Sequence, residues 1–194
     1  MHGVRKVMPA EKPHDSPPSL SGSLLLASPA MRDPNFSRSV VFMAAHNAKD
    51  GAFGYILNRP LEQRVADLLP DQKLGALGEV QVFMGGPVAT DKLAFAALQW
   101  NKRRRTLRCQ THLSVADALQ ALSLGHDVRG FVGYSGWSGG QLESELELRS
   151  WITTTARPLV LTVEKPAQLW GALLEDMGPV YKVMAKIPED VGLN

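Results

Sequence analysis

Gly136-Trp137-Ser138-Gly139-Gly140 is a literal match to the Gly-x-Ser-x-Gly elbow on which one class of serine hydrolases mounts its nucleophile. The flanks suit that chemistry: Arg129 to Tyr134 reads as a strand before it, and Gly140 to Leu148 as a helix after it. The serine then needs an imidazole to take its proton, which the elbow enzymes supply from later in the chain. All five histidines (2, 14, 46, 112 and 126) precede Ser138. A triad is defined by geometry rather than by chain order, so a hydrolase using a pocket around His46 and Ser138 stands as the alternative reading. The favoured one is a glycine-shaped turn that lets Tyr134 and Trp137 pack. Glycines at 130, 133, 136, 139 and 140 imply unusual backbone angles or very close approach of another group.

Other patterns are less specific. The glycine run ahead of a helix could present N–H groups to an anion. It lacks the Lys-Ser/Thr of a Walker loop, however, and Glu143, Glu145 and Glu147 would compete with phosphate. Cys109-Gln-Thr-His112 has ligand-like spacing, but one cysteine does not make a four-ligand zinc site, so it reads as a strand cysteine beside a loop histidine. No metal or cofactor is expected. Lys102, Arg103, Arg104, Arg105 and Arg108 gather five of the twenty-one basic residues at one hairpin, which could meet nucleic-acid phosphates but more simply guards a sheet edge. Asp33, Arg38, Ser39, His46, Asn58 and Arg59 fall within thirty residues, enough polar chemistry for a pocket if the loops carrying them converge.

The elements that must position these residues follow from periodicity and punctuation. Residues 1–19 hold Pro9, Pro13, Pro17 and Pro18 and little that packs, so they read as a loose tail, with order from Leu20 or Ser21. Ser23 to Ala27 predicts a strand, and residues 39–45 and 52–57 predict a hairpin around His46 to Gly51. A helical turn is expected at 65–69, a strand at 79–84, and a second hairpin from 93–100 and 106–110. Ser114 as N-cap, Asp117 three residues on, an apolar stripe (Val115, Ala118, Leu119, Leu122) and Gly125 define a helix. Residues 159–163 read as an apolar strand. Pro166 opens a helix that buries Leu169, Trp170, Leu173, Leu174 and Met177 and ends at Gly178. A short strand is expected after Tyr181. Strands and helices mix without strict alternation, which is the pattern of an α+β fold. No recognition helix follows the helix at 114–124, so a helix-turn-helix is not predicted.

Composition narrows the classes. Forty-four per cent hydrophobic residues suffice for a sizeable core, and 21 basic against 19 acidic residues (+2) give no global field toward nucleic acid. Cys109 is the one cysteine, and no apolar run approaches the ~20 residues of a membrane span, so a cytoplasmic location without membrane contact is expected.

Several blocks together resemble the YqgE/AlgH family of bacterial proteins. They are Leu24 to Val41, His46 with Gly51 to Pro60, Gly85-Gly-Pro-Val88, Gly133 to Glu145 with Trp151, and the closing Ile187 to Asn194. The match runs from about Gly22 to the C-terminus. It implies an α+β domain over residues 20–194 whose mixed, bifurcated sheet bends into a pseudo-barrel with flanking helices. The position of Ser138 in that family is typically any small residue, which weakens the hydrolase reading. The family carries an inherited transcriptional-regulator label and no accepted active site. The motif residues that could line a shared cleft are Asp33, Arg38, His46, Asn58, Gly85, Gly86, Tyr134, Trp137 and Gln141. The expected function is a non-catalytic binding or regulatory domain acting on a protein partner or a small molecule. The third reading is weak nucleic-acid binding through residues 102–108.

Overall fold

Leu24, Leu25 and Leu26 are all fully buried, which an isolated amphipathic strand would not allow. Their strand, β1 (Ser23–Ala27), lies between two others and is covered on both faces, the situation in which strands become continuous apolar runs. Leu24 and Leu26 face one core cluster with Trp170 and Leu173, while Leu25 and Ala27 face another with Leu142, Trp137 and Trp151. The structure, a computed structural model, describes residues 18–187. The tail expected over residues 1–19 and the closing motif of 187–194 lie outside the described residues, save for residues 18, 19 and 187.

Around β1 runs a mixed sheet of nine strands. These are β1, β2 (Val40–Asn47), β3 (Gly51–Ile56), β4 (Pro60–Arg64), β5 (Gln81–Met84), β6 (Val88–Asn101), β7 (Thr106–Leu113), β8 (Asp127–Trp137) and β9 (Trp151–Thr155). The path β4-β5-β8-β3-β2-β1-β9 branches at β8, which also pairs with β6. Gly130 to Val132 pair in parallel with β5, residues 127–132 pair antiparallel with β6, and Ser135 to Trp137 pair antiparallel with β3. One strand therefore serves two sheets and has to bend between them. Among the described residues β4, β7 and β9 each pair on one side only, so the mixed sheet branches as expected and does not close into a barrel.

The helices are α1 (Val65–Leu68), α2 (Val115–Ser123), α3 (Gln141–Glu147), α4 (Leu159–Thr162), α5 (Leu169–Asp176) and α6 (Pro179–Met184). As expected, Ser114 Oγ caps α2 by accepting the Asp117 N–H (3.1 Å), and Gly125 ends it with φ +75°. The three residues Pro166–Gln168 form a 3₁₀ turn that leads into α5.

Three expectations change, and one further strand appears. Residues 159–162 are helical rather than extended: Pro158 in the helical region starts a turn, and a four-residue apolar run carries no period to distinguish strand from helix. The strand expected after Tyr181 is α6, entered through Gly178 (φ +124°) and Pro179 at the first helical position. Trp151–Thr155 is a strand paired with β1. Most of the supposed glycine turn, through Trp137, is strand, so the turn shrinks to Ser138–Gly140.

Candidate functional site

Gly85, Gly86, Gly133 and Gly139 mark places where backbone meets backbone. A Cβ on Gly85 would overlap the Gly133 carbonyl oxygen, one on Gly133 the Gly86 carbonyl, and one on Gly86 the main chain of Tyr134. Gly85 N–H donates to the Val132 carbonyl (2.8 Å), and its own carbonyl accepts from Ile56 N–H (2.9 Å) and Ser135 Oγ (3.1 Å). Gly139 lies equally close to the Lys49 carbonyl. The group that approaches these glycines is the protein's own main chain, and the result is the bend at which β8 changes sheets.

Beyond the bend, one carboxylate gathers the motif side chains. Glu145 Oε2 accepts from the indole N–H of Trp137 (2.9 Å) and of Trp151 (2.7 Å), and Oε1 accepts from the Gln141 amide (3.0 Å). Gln141 Oε1 in turn accepts from Ser138 N–H (3.1 Å) and Oγ (3.2 Å). Phe36 packs on both indoles, at 6.2 Å from Trp137 and 5.4 Å from Trp151. This network fastens α3 to the ends of β8 and β9.

His46 is also committed. Leu20 N–H, which can only donate, meets Nδ1 at 3.1 Å, so the ring proton sits on Nε2 and donates to Glu143 Oε1 at 2.9 Å. The His46 side chain is 3 % exposed. Its one lone pair is taken by Leu20 and the Ser138 hydroxyl by Gln141, so the hydrolase pair has no free base.

The other expected residues do not join this group. Asp33 Oδ1 accepts Asn35 N–H (2.8 Å), an exposed Asx turn. Arg38 donates to the Ile187 carbonyl (2.7 Å) and lies 5.3 Å over the Trp170 ring. Buried Asn58 accepts Val40 N–H (2.8 Å) and donates to the Arg38 carbonyl (2.9 Å), tying β2 to the chain after β3. The polar residues of the first third face different surroundings rather than one pocket. Sequence reasoning missed Glu143 and Glu145 as partners, and Arg129, which is 7 % exposed. Arg129 donates to Asp127 (2.7 Å) and to the carbonyls of Leu57 (3.2 Å) and Val160 (3.1 Å), and lies 4.9 Å over Phe83. A single arginine in a strand gives no local sign that it is inside.

The concave feature next to the bend is a cleft of about 620 Å³ lined by Asp50, Phe53, Val88, His112, Tyr134 and Gly136, and bordered by Trp137. Phe53 packs edge-on against Tyr134 (6.3 Å) and tilted against His112 (5.7 Å). His112 has φ +56° and sits where β7 slips register against Phe95 and Ala97, a bulge that aims its ring at Phe53. Cys109 instead packs on the core, and burial pushes its thiol up to about 12, with the nearby Arg129 guanidinium working more weakly the other way. Among the described residues no three His, Cys, Asp or Glu side chains gather as metal ligands, and no helix is long and apolar enough to cross a membrane. Lys102 to Arg105 and Arg108 are exposed, and none forms an ion pair among the described residues.

Residues 24–182 match the model of the AlgH-like family. A UPF0301 protein of Cytophaga hutchinsonii is 35 % identical over 185 residues, covering 89 % of this chain and 98 % of the relative. One of Streptomyces avermitilis is 34 % identical over 188 residues, covering 91 % and 96 %. The solution structure of the AlgH protein from Pseudomonas aeruginosa superposes with TM-score 0.61 at 27 % identity, covering 93 % of this chain and 98 % of that one. A crystal structure from Corynebacterium diphtheriae, 20 % identical, shares the fold with TM-score 0.63 over 88 % and 93 % of the two chains.

Proposed function

This chain belongs to the AlgH-like family, and from there we propose that it is a cytoplasmic, non-catalytic binding domain with its ligand seat in the cleft of Phe53, His112 and Tyr134. One observation carries the reading. His46, Ser138 and Trp137 are bonded to Glu143, Gln141 and Glu145, whereas the rings beside them border a cleft with a left-handed His112 at its edge. Aromatic walls with one titratable ring and one carboxylate (Asp50) suit a ring-bearing small molecule or an aromatic side chain of a protein partner. A regulatory role would then run through that ligand, since α2 is followed by β8 rather than by a recognition helix.

A thermal-shift screen of the full chain tests this directly. A ligand at 100-fold its Kd stabilises the native state by ~2.7 kcal/mol. Its shift should vanish in His112→Ala, an exposed position, measured against the melting temperature of the same variant without ligand. Hits that persist in that variant and in Tyr134→Ala would contradict the seat. For the hydrolase alternative the probe is a fluorophosphonate: the bonded Ser138 should not label, and labelling lost in Ser138→Ala would overturn the non-catalytic reading.

A further inference from the structure

A second groove, of about 840 Å³ and separate from the aromatic cleft, lies between the tip of the β6–β7 hairpin and the chain leaving β9. Trp100, Lys102 and Arg105 line it from the hairpin, and Thr155 and Arg157 from the other side, with Asp176 also in the lining. Arg157 is ion-paired to Asp176, so three cations against one carboxylate leave two positive charges unbalanced. Lys102 and Arg105 form no hydrogen bond or ion pair among the described residues, and the Thr155 hydroxyl is exposed without a partner. Trp100 packs in part against the main core while bordering the groove, which holds its ring in place.

Edge protection of β7 accounts for Arg103, Arg104 and Arg108. It does not account for two cations at the same groove as a tryptophan, a free hydroxyl and an arginine held in orientation by a carboxylate. We infer that this groove binds a nucleoside phosphate. Its phosphates would lie on Lys102, Arg105 and the Thr155 hydroxyl, and its base against the Trp100 ring with Arg157 beside it. Oxyanions are held most firmly by charge-assisted bonds from such groups, and every base offers a flat π-face to an indole. The volume falls in the usual range for a small-molecule site, ~300–1,000 Å³. The near-neutral whole (+2) attracts no polyanion at long range, which favours a free nucleotide over a nucleic-acid strand.

Calorimetric titration of the full chain with ADP, inorganic pyrophosphate and a single-stranded oligonucleotide decides the matter. ADP is expected to bind saturably, and pyrophosphate roughly tenfold or more weaker. Lys102→Ala with Arg105→Ala, both exposed, should weaken ADP roughly tenfold or more, and Trp100→Leu should reduce ADP to the pyrophosphate level. The double variant keeps the test valid if Trp100→Leu is poorly folded. Absence of ADP binding, equal affinity for ADP and pyrophosphate, indifference to the double variant, or binding of the oligonucleotide alone would each overturn the inference.

Discussion

Among single residues, Glu145 is the one on which the motif network hangs. Its carboxylate accepts from two indoles and an amide, and no cation pairs with it among the described residues. Glu145→Ala leaves two largely buried indole N–H groups without an acceptor, and should lower unfolding stability by about 2–4 kcal/mol in urea titration. Glu145→Gln, which keeps an acceptor oxygen, should lose less. A loss confined to ligand binding, with stability unchanged, would place Glu145 in a site instead. The sequence shows Glu145 only as one acid among three in a helix, since its indole donors stand at 137 and 151 and become neighbours only when β8 and β9 pack on α3. Cys109 and Tyr55 give a second expectation. Burial raises both to about 12, from 9.0 and 10.0, so the folded chain keeps protons that the unfolded chain releases. Their contribution to stability is complete below pH 9 and falls as pH rises from there toward 12. Melting temperatures measured across that window should decline, less steeply in Cys109→Ala. The same burial predicts slow reaction of Cys109 with thiol reagents at pH 8.

At the scale of elements, those with their own punctuation were legible. The Ser114 cap and Gly125 delimit α2, and Pro166 with Gly178 brackets the helix containing α5, because caps and prolines act on their own few residues. Residues 159–162 and 151–155 were not, because short runs take their conformation from what they pack against. The glycine block announced a backbone constraint but not its cause, which is the crossing of β5's end over β8. That crossing predicts opposite outcomes for two glycine-to-alanine changes. Gly85→Ala drives a methyl into the Gly133 carbonyl and should cost about 3 kcal/mol or more, or prevent folding. Gly171→Ala, in α5 with open space around its Cβ and no positive φ, should raise stability by about 0.5–1 kcal/mol. Similar melting of the two variants would refute the crossing.

At the scale of the molecule, the branching sheet decides what the motifs become. Asp33, Arg38, His46 and Asn58 are near in sequence, but the chain sends them to a surface turn, the Trp170 face, the Glu143 side and the interior. The α+β class and the family were legible because they rest on many blocks in order, whereas the cleft was not, because it assembles Phe53, Val88, His112 and Tyr134 from four strands. The motifs build the bend, and the proposed binding falls to the adjoining cleft. Amide chemical-shift mapping with uncharged aromatic fragments tests it most directly. Perturbations should cluster at Asp50–Phe53, Val88, Thr111–Leu113 and Tyr134–Gly136, with Ser138, Gln141 and Glu145 unmoved. Shifts centred on Ser138 and His46, with the cleft silent, would contradict it.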